Sequence, residues 1–387
     1  MLNEQILTHA KIVTAERVFS GTVVLRDGLI SEIDDNISQL PQAQNLNGDY
    51  LLPGLVELHT DNLEKHLSPR PGVDWPSASA VMSHDAQIIA AGITTVFDAL
   101  SIGDVNPKGK RMQQLPGMVE AIAKANAADM TRAEHRLHLR CEVCHPDTLS
   151  VFRDLVEQPL VQLVSVMDHS PGQRQFALES KYREYYMGKY HLSSEHMDAF
   201  IVEQVANSKT YSDRYRRAIV DICLARGLSV ASHDDATLAH VEESAAYGMS
   251  IAEFPTTLEA AQGCRRLGMS VLMGAPNIVR GGSHSGNIAA ATLAEEGLLD
   301  ILSSDYYPAS LLQAAFTLGA QLDAADDSTG AGLARAVTTV SLAPARSAGL
   351  QDRGEIRVGL RADLIHARAV GTLPIIQQVW RQAKRVF

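Results

Sequence analysis

Between residues 55 and 304 the chain alternates short apolar runs of strand length with longer stretches of helical periodicity, and this alternation restricts the fold more than any other feature. The strand-length runs are 55–58, 93–98, 137–144, 161–167, 228–232, 249–254, 270–274 and 299–304. Helical patterns such as 77–91, 116–128 and 257–267 lie between them. Gly92, Gly227, Gly248, Gly268 and Gly297 fall where a helix should stop and the next strand begin, a position that favours left-handed backbone. Eight such repeats over roughly 270 residues match the count and size of a (β/α)₈ TIM barrel. A doubly wound open sheet competes, but it usually carries a glycine-rich phosphate loop after its first strand. Here the corresponding segment is HTDNLEKH.

The two ends read as β. ILTHAKIVT and GTVVLRDGLISEID are short alternating runs, with Asp27-Gly28 as a hairpin turn. Beyond about residue 333 the β pattern returns, with Gly349, Gly354 and Gly359 between short apolar runs and QQVWRQAKRVF at the end. The expected architecture is therefore α/β. Residues 54–334 form the barrel, and residues 1–53 and 335–387 pair into a small flanking β-sandwich. One connection, residues 170–226, is far longer than a usual βα link. It contains QFALESKYREYYMGKYHLS, in which Lys181, Arg183 and Lys189 alternate with Tyr182, Tyr185, Tyr186 and Tyr190. This insert reads either as an extra helix packing its aromatics over the barrel or as a lid over the mouth.

Composition narrows the class. The formal net charge of −11 argues against non-specific nucleic-acid binding or attachment to an anionic membrane. No apolar run reaches membrane-span length, and MLNEQILTHAKIV lacks the build of a signal peptide, so the expected setting is cytoplasmic. A homo-oligomer is compatible with these features. The four cysteines, Cys141, Cys144, Cys223 and Cys264, are too few for a disulfide framework and read as reduced packing residues.

In a parallel barrel the chemistry sits at the C-terminal ends of the strands. The first run ends in His59 and Asp61, whose spacing of two sends both side chains to one side of a strand. The third carries Glu142, the fourth ends in Asp168-His169, the fifth in His233-Asp234 and the eighth in Asp305. Imidazoles and carboxylates converging on one mouth suit a site for two divalent ions, one carboxylate bridging them. Each member alone also reads as a buried partner-bonded side chain or a helix cap.

With PGLVELHTD, the Glu of the third strand, the histidines ending the fourth and fifth, and SSD on the eighth, the chain resembles the amidohydrolase superfamily. GEIRVGLRADLI looks like that superfamily's C-terminal sandwich segment. ELHTDNLEKHLSPRPGVDWP, SVMDHSPGQRQF, MGAPNIVRGGSHSGN and SSDYYPASLL are similar to a narrower branch, a diphosphatase family of phosphonate metabolism. The chain has HxD where the superfamily usually has HxH, and it lacks an obvious lysine on the fourth strand.

The resemblance implies hydrolysis of a small anionic substrate, α-D-ribose 1-methylphosphonate 5-triphosphate, to its 5-phosphate and diphosphate. It implies two divalent metal ions, Zn²⁺ first, with Mn²⁺ or Fe²⁺ as alternatives. One ion takes His59, Asp61 and Asp305, the other His169 and His233, with Glu142 between them and Asp305 as catalytic base. The substrate's charge calls for local cations. Candidates by position are Lys65, Arg70 and Arg280, and Lys181, Arg183 and Lys189 of the insert, with Ser283 and His284 in the glycine-rich loop. Two alternatives stand beside this reading: hydrolysis of a C–N bond, and a barrel kept as a non-catalytic scaffold.

Overall fold

A computed structural model describes residues 4–104, 106, 109–176, 179–190, 193–283, 286–325 and 330–387. The N-terminal strands are β1 (Glu4–Val13), β2 (Val18–Arg26), β3 (Leu29–Asp34), β4 (Gln44–Asn45) and β5 (Tyr50–Pro53). Eight parallel strands follow in spatial order: β6 (Leu55–Thr60), β7 (Ile93–Ile102), β8 (Glu134–Glu142), β9 (Val161–Met167), β10 (Ser229–His233), β11 (Ile251–Glu253), β12 (Ser270–Gly274) and β13 (Ile301–Ser303). The chain closes with β14 (Leu364–Val370), β15 (Leu373–Arg381) and β16 (Lys384–Arg385). The expected barrel is present. Gly92, Gly227, Gly248, Gly268 and Gly297 all have positive φ, from 67° to 83°. At Gly92 a Cβ would also stand 2.7 Å from Ile365 Cδ1, so this glycine lets the flanking sheet approach the barrel.

The base of the barrel is filled by Val56, Leu58, Phe97, Leu163, Ala231, Ile251, Leu272 and Ile301, all fully buried. Large apolar side chains here contribute roughly 1.5–3 kcal/mol each by leaving water. A second, larger apolar layer lies between the strands and the outer helices. The barrel closes unusually. β6 and β13 share a single bridge, Thr60 to Asp305, at the mouth. Below it the buried Glu57 carboxylate spans the gap, accepting from His59 N at 2.7 Å and Ser304 N at 2.6 Å. Lower still, Thr339 and Val340 accept from Leu302 N and Val56 N across the same seam.

Both termini join one flanking sheet, in the order β16-β15-β14-β5-β1-β2-β3 with β4 beside β1. Its far edge returns to the segment before β14, where Ile30 N donates to Leu360 O and Ala362 N to Gly28 O. The sheet thereby curls around its own core of Leu7, Ile12, Leu25, Leu51, Leu364 and Trp380. The return to β comes later than the pattern from residue 333 suggests. Helices Ala331–Thr338 and Leu342–Ser347 intervene, because their apolar residues pack against the barrel wall and its base.

The helices that position the site are α1 (Asn62–Leu67), α2 (Ser77–Ala90), α3 (Arg111–Ala127), α4 (Thr148–Leu155), α5 (Glu179–Tyr190) and α6 (Ser194–Ala225). Pro116 suggests a helix start, yet α3 begins five residues earlier and carries the proline inside. The long insert is α5 and the 32-residue α6. Phe176, Tyr182, Tyr186, Met197, Phe200 and Ile201 form a separate apolar cluster within it. Its Gln175, Phe176, Tyr185 and Tyr186 also line the mouth. Among the described residues, no helix is long and apolar enough to cross a membrane. All four cysteines are buried and free.

Candidate metal centre and anion cavity

The strand ends surround a cavity of about 300 Å³ at the mouth of the barrel. Three of these ends share a backbone device. Asp234, Phe254 and Asp305 follow β10, β11 and β13 with φ of 56°, 54° and 54°. Non-glycine residues in this region cost roughly 1–3 kcal/mol each, and such strain collects at functional sites. Each N–H donates to a neighbouring strand: Asp234 N to Glu253 O, Phe254 N to Leu272 O and Asp305 N to His59 O. The chain thus turns sharply where Asp234 and Asp305 enter the cavity.

Two corners of ligand-type side chains result. His59, Asp61 and Asp305 form one, and His169, His233 and Asp234 the other, with the donor atoms of each group within 4.8 Å of one another. In the second corner, His169 Nε2 lies 3.5 Å and His233 Nε2 3.6 Å from Asp234 Oδ2. In the first, His59 Nε2 is 3.9 Å from Asp61 Oδ1.

What aims these imidazoles is a carboxylate that does not itself line the cavity. Glu253, at the end of β11, is fully buried, and its oxygens accept from His59 Nδ1 at 2.9 Å and His233 Nδ1 at 3.1 Å. Burial alone would raise this carboxyl. His59, His138 and the two hydrogen bonds outweigh it and hold Glu253 well below the usual carboxylate range. With Nδ1 protonated and engaged, Nε2 of both histidines carries its lone pair toward the cavity, the usual second support of a metal-bound histidine. Phe254 packs edge-on against both rings, at centroid distances of 5.0 and 5.4 Å.

Glu142 supports His169 in the same manner, accepting from its Nδ1 at 2.5 Å and its backbone N at 3.0 Å. Burial would lower the His169 imidazole, but Glu142 and Asp234 raise it to about 10. A cation entering here displaces that proton. Asp305 is raised as well: burial and the neighbouring Asp61 lift its carboxyl above the ordinary value despite His59 and Arg140. The donor set of imidazole Nε2 and carboxylate oxygens fits a divalent cation.

Among the described residues, the cations lining the cavity are Arg111, Arg140 and Arg280. Arg111 is held by Glu64 at 2.8 Å, and Arg140 Nη1 donates to Asp61 Oδ1 at 2.7 Å. The expected Arg280 and Ser283 line the cavity, and the expected His284 and the side chain of Lys189 lie outside the described residues. The other expected cations are not brought to it. Lys65 donates to the carbonyl of Tyr306 and faces its ring, and Arg70 is exposed beside Val73. Lys181 pairs with Glu184, and Arg183 with Glu179 and Asp198, on the outer side of α5. These side chains find acidic partners on their own helix hairpin.

Glu253, Arg111 and Arg140 play parts that strand-end reading passes over, and Asp234, which that reading names at the end of the fifth run, joins the second corner. Arg140 precedes Glu142 by two residues, so the same-face rule that places one places the other. His138 is a different case. Its Nδ1 donates to Leu58 O and its Nε2 accepts from Ser165, both at 2.9 Å, and burial drives it down to about 3. It stays neutral and has no nitrogen left for an ion.

No family model matches the chain. The chain is 54% identical over 382 residues to an α-D-ribose 1-methylphosphonate 5-triphosphate diphosphatase of Escherichia coli (strain K12), spanning 99% of this chain and 100% of that one. Among solved structures it is similar to a 5-methylcytosine deaminase from Klebsiella pneumoniae, with a TM-score of 0.64 at 13% identity, covering 99% of this chain and 97% of that one. An N-acetyl-D-glucosamine-6-phosphate deacetylase from Mycobacterium smegmatis gives 0.64 at 15%, over 99% and 100%. An amidohydrolase gives 0.63 at 14%, over 99% and 98%.

Proposed function

The chain belongs to the family of the α-D-ribose 1-methylphosphonate 5-triphosphate diphosphatase, and on that premise we propose that its barrel mouth hydrolyses the triphosphate chain of that substrate to the 5-phosphate and diphosphate. The observation that carries this reading is a single cavity holding two kinds of side chain. Imidazoles with cavity-facing Nε2 atoms stand there beside Arg111, Arg140 and Arg280. The C–N alternative rests on fold likeness at 13–15% identity and has no comparable support. The scaffold alternative conflicts with the retention of every strand-end donor.

The centre uses a divalent ion, and we take Zn²⁺ first because imidazole and carboxylate donors suit it, as they also suit Mn²⁺ and Fe²⁺. His169 and His233, with Asp234 and Glu142 beside them, would hold an ion at one corner, and His59, Asp61 and Asp305 are the donors of the other. When bound, such an ion supplies Lewis acidity and lowers the pKa of water held beside it toward about 7.

The chain's own residues do the rest. The arginines neutralise and orient the triphosphate, so that an acidic protein accepts a polyanion. Asp305, held at the seam between β13 and β6, is placed to take the proton from the attacking water. The water oxygen forms a bond to the α-phosphorus, the bond from that phosphorus to the bridging oxygen breaks, and diphosphate leaves. Phe176, Tyr185 and Tyr186 wall the entrance on the insert side and limit bulk water. The test is single alanine changes at His59, Glu142 and Asp305, with bound metal and diphosphate release measured on each. Loss of turnover in all three is expected. Full turnover with full metal content in any of them removes that residue from the site.

A further inference from the structure

The two corners of the centre each bring three donors but stand in opposite company. β8 sends Arg140 and Glu142, two residues apart, to the same inner face. Glu142 stands behind the second corner, bonded to His169, and adds a negative charge there. Arg140 stands in the first corner and adds a positive one. Its Nη1 is 2.7 Å from Asp61 Oδ1, the same oxygen that lies 3.9 Å from His59 Nε2. The oxygen that would meet an ion in this corner already accepts from a guanidinium.

Three further observations set Arg140 apart from an incidental ion pair. Its side chain is only 11% exposed and it lines the cavity. Its Nε is buried with no hydrogen-bond partner, so packing, not a full set of bonds, keeps it in place. Its charge acts on Asp61, Glu253 and Asp305 together, as that of an ion in the corner would. The charge of Arg111 also acts on Asp61, so this carboxylate feels two guanidiniums. A histidine at position 61 accepts no such pairing with two cations, and this gives the HxD sequence a physical reason.

We propose that Arg140 stands in place of the second cation, so that the centre holds one divalent ion tightly, at His169, His233 and Asp234 with Glu142 beside them. The first corner then presents the Arg140 guanidinium, fixed by Asp61, to a phosphoryl oxygen of the substrate. Donor count argues for two ions, but charge decides for one. A guanidinium and a divalent ion a few ångströms apart in a part-buried corner repel strongly, enough to cost a second ion at least about a thousandfold in affinity. The proposal rests on the metal-dependent reading of the site above.

The experiment loads the full chain with Zn²⁺, dialyses it against metal-free buffer and measures ions per chain by mass spectrometry. Diphosphate release is followed on the same samples. One ion per native chain is expected, one in Arg140→Lys, and two in Arg140→Met or in the double change Asp61→His with Arg140→Met. Thermal melts establish that each variant is folded, and the double change replaces the single one if that fails to fold. Two retained ions in the native chain overturn the proposal, as does a folded Arg140→Met that still holds one. Two ions with full turnover leave the hydrolase reading intact. One ion without turnover removes that reading and leaves the count standing.

Discussion

The barrel carries two histidine–carboxylate assemblies built from the same residue types, and only one of them is suited to bind anything. At the mouth, Glu253 and Glu142 engage the Nδ1 atoms of three histidines and leave each Nε2 directed at the cavity. The second assembly lies on the outer face of the strands, under α2. There Asp98 of β7 accepts from His84 Nε2 at 2.7 Å and from His135 Nδ1 at 2.8 Å. Asp85 faces His135 Nε2 at 3.4 Å, and Asn62 donates to His84 Nδ1 at 3.0 Å. His84, Asp98 and His135 also lie close enough to hold an ion by distance alone. Every ring nitrogen is already used, however, so this group ties α2 to β7 and β8. What separates a ligand set from a structural network is the nitrogen left over.

The largest effect that would sharpen this contrast comes from removing Asp98. Asp98→Ala leaves the protonated His135 buried with one weak partner, and is expected to cost about 3–5 kcal/mol of stability. Urea unfolding should show a lower midpoint, while bound metal per folded chain stays unchanged. A loss of metal without a loss of stability would place the ion in the wrong assembly.

The next effect is a pH dependence confined to the outer group. Burial would lower His135, but Asp98 and Asp85 raise it to about 9, above the ordinary 6.5. His84 stays neutral, and Arg132, half exposed on Asp85, is the other charge facing the group. A raised histidine contributes stability that is complete below pH 6.5 and is lost as pH rises through about 9. The contribution is at most about 3 kcal/mol. Unfolding midpoints at pH 6.5 and 9.5 should differ more in the native chain than in His135→Gln. Equal differences would remove the charge from His135.

A smaller change is expected at the mouth from Glu253→Gln. The amide accepts from one histidine only, and loss of such support lowers metal affinity or turnover by about 10–100-fold. Metal affinity measured by competition with a chelator checks it. An unchanged affinity would mean that Phe254 packing alone aims the rings.

The barrel was legible because its period, its glycines and its strand ends are local signals. His59, Asp61, His169, His233 and Asp305 all surround one cavity, since each ends a strand whose neighbours are next in order. The outer assembly was not legible, because His84, Asp98 and His135 come from a helix and two strands whose facing sides only packing decides. Interleaved lysines and tyrosines suggested an anion-binding lid, but charge on a helix surface is satisfied by whatever acid lies one turn away, as at Lys181 and Arg183. Arg140 and Glu253 were within reach of the same alternation rule that found Glu142. They were passed over because arginine inside a barrel and a carboxylate at the end of a short strand do not look like ligands.

The Glu57 carboxylate that closes the seam between β6 and β13 acts as a gauge block. It reaches one edge at the backbone N–H of His59 and the other at that of Ser304, immediately before Asp305. Around the rest of the barrel the circumference is kept by ladders of backbone bonds, which tolerate small slips along the strands. At this point the gap is set by the reach of a single side chain, and two functional residues stand at its ends. His59 and Asp305, at opposite ends of the barrel sequence, are thus spaced by one glutamate together with the direct bond from Asp305 N to His59 O.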